Sequence, residues 1–503
     1  MNQRKVGIFL SYINIGIQSI VGFLYIPILL HYIGKNEYGL YQLMGSLIAY
    51  FSIMDFGLSA AVIRFYAKYQ ALKDQIGMEN ILAISARCYA IVTILVLFLG
   101  TGAYAFLDRV FSESMTVAEI AEAKDIFILL LLNIVITLST MVFRSVITAR
   151  ERFLFLKGIE TVQLVLQPVL VILVLEQHPS AFSVALVQTF LNLILSIARV
   201  YYCFVKLHVR IKFHYWNQEL LMGFLRLSFS VFAVTLIDQF FWKTNQVILG
   251  IISGTAAVAV YSTASLIYMS YMSLSNAISG VYLPYVTAMV AKKEPVQKLS
   301  DLFIMIGRWQ YFLLALVATG FVLFGKKFIY IWAGEGFEDS YLITILIIFP
   351  FTIDLIQNIG LAILQATNRY DFRAKVYLAV GLLNLIMAIP LGKLYGGIGC
   401  AVATGISMLL GNGFIMNWFY AKKIHLDILV FWKQIGCISI VVLGCFLIGY
   451  FMNEWFCGRG FFCFILKILG YTAMYIGSMY LFAMSQNERQ KIRSALNRIG
   501  LLQ

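Results

Sequence analysis

The chain has 503 residues, 61% hydrophobic and 12% charged, with 38 Lys and Arg against 24 Asp and Glu for a formal charge of +14. Soluble domains carry about 25% charged residues, so a mean hydropathy of +0.86 and charges gathered between apolar runs exclude a string of soluble domains. Nucleic-acid binding is excluded too, because the cations are spread over many short loops and build no basic domain.

The apolar runs, many near the ~20 residues that cross ~30 Å of hydrocarbon, predict an all-α polytopic membrane protein. Fourteen spans are expected at about 7–30, 38–61, 83–107, 126–148, 159–176, 181–204, 220–242, 257–283, 302–325, 341–365, 375–394, 398–419, 435–454 and 461–483. The first opens with MNQRK, the charged start of a signal peptide. Its apolar part is too long for one, and no small-residue cleavage site follows, so a retained span is expected. It carries Ser11, Asn14 and Gln18.

The second span holds Asp55 and leaves the apolar region through Arg64 and Lys68, an i, i+4 cationic pair with Phe65, Tyr66 and Tyr69 interleaved. That pattern reads as an interfacial helix running to about Asn80 on an anionic leaflet. It is a topology anchor, or an entrance collar for an anionic, lipid-attached headgroup. In the second case Asp55 partners an arginine or a coupling ion.

Further along, span four aligns Asn133, Thr137, Thr140 and Arg144 at spacings of four, three and four, which makes one helical face. Span six does the same with Gln188, Asn192, Ser196 and Arg199, and span five offers Gln163 and Gln167. Span seven is interrupted by Asp238, Gln239, Lys243 and Asn245, span nine begins near Arg308, and span ten gathers Asp354, Gln357 and Asn358. Charged groups at span centres cost about 2.5–3.5 kcal/mol on insertion scales, so they face a bundle interior or a watery cavity. Two readings stand. The polar groups are interhelical hydrogen-bonding glue, or they line a central hydrated cavity. Arg144 and Arg199 either snorkel to the headgroups or make the inner mouth of that cavity cationic. Pro27, Pro168, Pro284, Pro350 and Pro390 fall in or at the ends of spans, as fixed kinks or as bending points.

Orientation follows from the loops. With the N-terminus inside, about 29 of the 38 Lys and Arg fall on cytoplasmic ends and loops, and an even span count returns the C-terminus inside. An internal repeat is legible as well. Gly34 and Tyr41 match Gly254 and Tyr261 at an offset of 220, and A149-R-E-R-F-L-F matches A366-T-N-R-Y-D-F at 217. The repeat predicts two parallel six-helix bundles flanking a cavity, at 1–215 and 216–425, with two further spans and a tail in 426–503.

Enzyme chemistry is not expected. The sequence has no H-E-x-x-H, no P-loop and no paired-acid loop, and its five histidines lack ligand spacing. D55-F-G lies within a span without companion motifs. The seven cysteines show no metal-ligand pattern. Only Cys457 and Cys463 approach an outer loop, where a disulfide is compatible with the pattern but not required by it. No cofactor or metal is expected.

The stretches H31-Y-I-G-K-N-E-Y-G-L-Y and M54-D-F-G-L-S-A-A-V-I-R-F-Y, with A366-T-N-R-Y and G396-G-I-G, resemble the bacterial polysaccharide (Wzx-type) flippases of the multidrug/oligosaccharidyl-lipid/polysaccharide superfamily. The resemblance covers essentially the whole chain. It implies a carrier that moves undecaprenyl-pyrophosphate-linked oligosaccharides across the inner membrane for surface polysaccharide synthesis. Alternating access, coupling to a proton or sodium gradient, and polysaccharide assembly proteins as partners belong to the same implication. Cationic candidates for the headgroup are Arg64, Arg144, Arg199, Lys243 and Arg308. Ion-coupling candidates are Asp55, Asp238 and Asp354, and cavity-lining polar candidates are Asn133, Thr137, Gln188, Asn192, Gln357 and Asn358. A lipid II flippase and a drug exporter of the same superfamily are the alternatives, with a membrane enzyme behind them.

Overall fold

The computed structural model describes residues 3–215, 218–455, 460–490 and 493, which contain no β-strand. The helices are α1 (Gln3–Ser52), α2 (Leu58–Ala71), α3 (Gln75–Phe111), α4 (Val117–Ala149), α5 (Phe153–Leu175), α6 (Ala181–Tyr201), α7 (Gln218–Ser279) and α8 (Leu283–Ala291). They continue with α9 (Val296–Ala333), α10 (Asp339–Leu355), α11 (Ile359–Ala366), α12 (Tyr370–Met408), α13 (Met416–Phe419), α14 (Ile428–Trp455) and α15 (Phe461–Ser478). Local chemistry sets their starts. Asp74 accepts from the Gly77 N–H at 2.8 Å to begin α3, and Thr116 and Glu119 close a capping box on α4.

Ten helical stretches among the described residues are long and apolar enough to cross a membrane, or eleven with the α10–α11 pair, bent by 43°. Fourteen crossings were expected. Three stretches, Gly16–Ala71, Thr235–Ala291 and Tyr370–Ile424, run 56, 57 and 55 residues, more than twice one crossing. Each contains a glycine out of helical geometry: Gly34 (φ 73°, ψ 179°), Gly254 (φ 77°, ψ −172°) and Gly396 (φ 56°, ψ −136°). Two expected spans flank each of these glycines. That backbone region is essentially closed to residues with a Cβ.

The backbone repeats at the offsets that the sequence shows. Gly34 and Gly254 are 220 apart, as are Lys73 (φ 57°) and Lys293 (φ 53°). Glu151 (φ 55°) and Asn368 (φ 56°) are 217 apart, as are His208 (φ 49°) and His425 (φ 64°). Short 3-10 turns at Ile53–Asp55 and Gly280–Tyr282 precede α2 and α8, and π-turns at Tyr202–Lys206 and Tyr420–Ile424 end corresponding segments.

The helices gather into two compact units, Met1–Leu266 with Leu385–Cys400, and Ile267–Asn384 with Ala401–Gln503. In the first, α1 packs on α4 and α5, and α4 on α3 and α6. The second half of α1 runs antiparallel to α7, joined by Ser46 to Gln246 and by Tyr50 to Thr244 at 2.7 Å. The two backbones meet where a Cβ on Gly39 would sit 1.9 Å from the Thr255 carbonyl oxygen. In the second unit α9 packs on α10 and α14. Phe312, Phe324, Ile438, Tyr471 and Tyr475 form its core, and Tyr471 donates to Thr319 Oγ1 at 2.7 Å. Outward faces are apolar, with Ile94 and Phe98 on α3 and Ile440 and Leu443 on α14 exposed, as lipid contact requires. Cys457 and the side chain of Ser11 lie outside the described residues.

Candidate functional site

In the first unit, α4 and α6 lie side by side and parallel. Thr189 Oγ1 donates to the Leu129 carbonyl at 3.1 Å, and Cys203 Sγ lies 3.5 Å from the Phe143 carbonyl. The two polar faces read from the sequence therefore meet. Asn192 Nδ2 donates to Asn133 Oδ1 at 3.0 Å and to Thr137 Oγ1 at 2.8 Å. Thr137 and Thr140 also bond back to carbonyls four residues earlier, which keeps them inside a helix. Gln188, toward the start of α6, accepts from Tyr41.

Toward the other end of these helices the column becomes charged. Arg144 Nη2 lies 2.9 Å from Glu160 Oε1, and Lys157 Nζ 2.7 Å from Glu160 Oε2. Beside them Thr161 donates to Asn14 Oδ1 at 2.6 Å, and Asn14 Nδ2 donates to the Lys157 carbonyl at 3.3 Å. Arg199 is buried at 8% exposure and feels the charges of Arg144 and Glu160. Its Nε has no hydrogen-bond partner among the described residues, nor have Ser196 Oγ and Asn133 Nδ2.

Asp55 closes the 3-10 turn where the second span breaks, just before Phe56 (φ 48°) and Gly57 (φ 69°) reverse the backbone into the left-handed region. Its oxygens accept from Ser59 Oγ at 2.7 Å and Tyr89 OH at 2.6 Å. Of the partners the entrance-collar reading offered Asp55, an arginine or a coupling ion, the contacts here are instead two hydroxyls, one from α2 and one from α3. Arg64 and Lys68 are exposed on α2, while Leu58, Ala61, Val62 and Tyr66 are buried. Tyr66 OH accepts from Arg150 Nε at 2.9 Å. On α7, Asp238 and Lys243 are both half-buried.

In the second unit, Asp354 Oδ1 and Oδ2 each lie 3.4 Å from Arg373 Nη2. Arg373 is buried, and its Nη1 reaches Asn412 in the π-turn Leu409–Ile415. Asn358 donates to Asn276 Oδ1 at 2.6 Å, and Gln357 Nε2 to the Ile353 carbonyl at 2.9 Å, leaving Gln357 Oε1 without a partner among the described residues. Arg308 is engaged elsewhere. Its Nε and Nη2 meet Glu488 Oε1 and Oε2 at 2.8 and 2.7 Å, and Nη2 also donates to the Ala483 carbonyl. This pair fixes the segment after α15 to α9 and leaves Arg308 apart from Asp354 and the other polar candidates. The same unit holds an apolar cavity of about 520 Å³, lined among others by Tyr311, Thr319, Pro350, Trp432, Val442 and Phe446.

Four charged residues of the ion pairs in these clusters escape sequence reasoning: Lys157, Glu160, Arg373 and Glu488. Each falls where a span meets a loop, so each counts as a headgroup-level charge. The one local signal is Lys157–Glu160 at i, i+3. No group of three or more His, Cys, Asp and Glu arranged for a metal occurs among the described residues.

The chain is 23% identical over 421 residues to the uncharacterized membrane protein EpsK of Bacillus subtilis (strain 168), covering 79% of each. Its fold matches the inward closed conformation of the lipid II flippase MurJ with a TM-score of 0.73 and 17% identity, over 94% of this chain and 98% of that one. An inward-facing multidrug resistance MATE family transporter of the MOP superfamily matches with a TM-score of 0.66 and 14% identity, over 83% and 96%. The family model for polysaccharide biosynthesis proteins matches residues 5–290. This is an all-helical, multi-pass membrane protein with the transporter fold of MurJ and MATE, and it belongs to the polysaccharide biosynthesis protein family.

Proposed function

We propose that this chain is a flippase for undecaprenyl-pyrophosphate-linked oligosaccharides, working by ion-driven alternating access in the inner membrane during surface polysaccharide synthesis. The observation that carries this reading is chemical. One chain holds both a polar column, half-buried to buried, that ends in cations and an apolar cavity of about 520 Å³. A substrate with an anionic sugar headgroup and a prenyl tail needs both environments, since neither half tolerates the solvent of the other. Fourteen crossings in two six-helix bundles (1–215 and 216–425) plus two helices, with both termini cytoplasmic, complete the proposal. Lys243, half-buried with no hydrogen bond or ion pair among the described residues, is a further headgroup contact. Asp55, Asp238 and Asp354 are the coupling acids. No catalytic constellation is needed for such a reaction.

A lipid II flippase is the second reading, favoured by the fuller match to MurJ, whose coverage of 94% against 83% takes in more of the chain than the drug transporter does. A cationic column argues against a carrier of cationic drugs. The test is a deletion strain. Lost surface polymer with accumulated undecaprenyl-linked oligosaccharide, both restored by the gene, is expected. Normal polymer with accumulated lipid II would move the assignment to the second reading, and normal levels of both would refute flipping of either.

A further inference from the structure

The charged end of the first unit's column is not balanced. Arg144, Lys157 and Arg199 bring three cations, and Glu160 is the carboxylate whose charge reaches Arg199. Both Glu160 oxygens are already taken, one by Arg144 and one by Lys157. Arg199 is left more than nine-tenths buried, with Nε facing no acceptor among the described residues. A buried guanidinium with an unpaired N–H is costly in a helical bundle. Ser196, one turn earlier on the same face of α6, adds a buried hydroxyl without a partner. A guanidinium and a hydroxyl left unpaired on one face of a helix are donors for an oxyanion of phosphate geometry. The Arg144 side chain is 43% exposed and that of Glu160 20%, while Arg199 is buried at 8%, so Arg144 is the exposed member of the cluster.

We propose that the Arg144–Glu160 ion pair is exchangeable: a phosphate group of the substrate takes the place of Glu160 on Arg144 and binds Arg199 beyond it, and Glu160 occupies Arg144 when the site is empty. The source of the phosphate, a lipid-attached headgroup, rests on the flippase reading; the anion chemistry does not. Glu160 then acts as a built-in competitor. It keeps the unloaded column from holding a bare pair of arginines, and it gives the departing phosphate a replacement so that release is not blocked by tight binding.

The competitor role makes an unusual demand, because removing a residue from the site must improve binding. The full chain in phosphatidylcholine nanodiscs is titrated with inorganic pyrophosphate by calorimetry. Glu160→Gln is expected to tighten pyrophosphate binding about tenfold and Arg199→Gln to weaken it at least tenfold. Glu160→Asp, which withdraws the carboxylate by one methylene and disturbs packing less, is expected to tighten it about threefold. A purely structural Glu160 would give equal or weaker binding in both Glu160 variants, and that result overturns the exchange. So does unchanged affinity in Arg199→Gln. Farnesyl pyrophosphate displacing pyrophosphate, with farnesol inert, supports the lipid headgroup; pyrophosphate that farnesyl pyrophosphate cannot displace overturns it. Intact glycan export beside unaltered pyrophosphate binding in all three variants would sink the exchange and leave the flippase assignment standing.

Discussion

Arg308 and Glu488 provide the sharpest test of how the second unit is held together. The two side chains meet fork to fork, Nε to Oε1 at 2.8 Å and Nη2 to Oε2 at 2.7 Å, with side-chain exposures of 13% and 7%. Breaking one partner of a buried pair costs about 3–5 kcal/mol. Here Arg308 keeps Gln434 and the Ala483 carbonyl as acceptors, and Gln at 488 can still accept one bond. The expected cost of Glu488→Gln is therefore nearer about 2–3 kcal/mol. The double-mutant cycle with Arg308→Gln should give a pairwise energy of about 2 kcal/mol. Unfolding in mixed micelles with a denaturing detergent measures all four proteins. A pairwise term below about 0.5 kcal/mol would refute the assignment, because a dry, two-bond ion pair cannot be worth so little. The same pair predicts a pH dependence. Burial alone would raise the Glu488 carboxyl, but the hydrogen bonds and charge of Arg308 and the Ser485 N–H outweigh it and hold the group below the ordinary carboxylate range. A depressed folded-state value stabilises the fold above the unfolded value, near 4.3, and that stability is lost as pH falls through the lower folded value. Wild type and Glu488→Gln should thus differ by a constant amount at neutral pH and converge in acid.

Close packing of α1 on α7 predicts that Gly39→Ala, whose Cβ would meet the Thr255 carbonyl oxygen at 1.9 Å, sharply lowers the yield of folded protein in detergent. Gly45→Ala, with nothing within 4 Å, should be neutral or stabilising by about 0.5–1 kcal/mol in a thermal melt. Because Asp55 accepts from Tyr89 and Ser59, Asp55→Asn should keep the break in the second span intact by trypsin mapping. If one acid carries the coupling ion, one of Asp55→Asn, Asp238→Asn and Asp354→Asn will lose its response to an imposed proton or sodium gradient in vesicle flipping assays. Three full responses would remove all of them from that role. A bulky wedge in the apolar cavity, Ala315→Trp, should slow transfer of a prenyl-linked substrate severalfold while leaving pyrophosphate binding unchanged.

Hydropathy, periodicity and repetition determined the helical membrane class, the polar faces of α4 and α6, and the repeat seen at Gly34/Gly254 and Glu151/Asn368. These are properties of single helices or of chain register, and a local pattern suffices to carry them. That helix continues to either side of each glycine was not legible, because hydropathy marks where an apolar run breaks and not whether one residue suffices for the break. Nor was the fate of the charges. Arg308, Arg373 and Glu160 all read as residues at span ends, and only tertiary packing sends them to Glu488, to Asp354 and to Arg144. A charge in a bundle is priced by what lies across from it, from helices far away in sequence. Asn133 and Asn192 announced that they wanted partners; which ones they found, and that Arg199 Nε has none among the described residues, only the folded chain could decide.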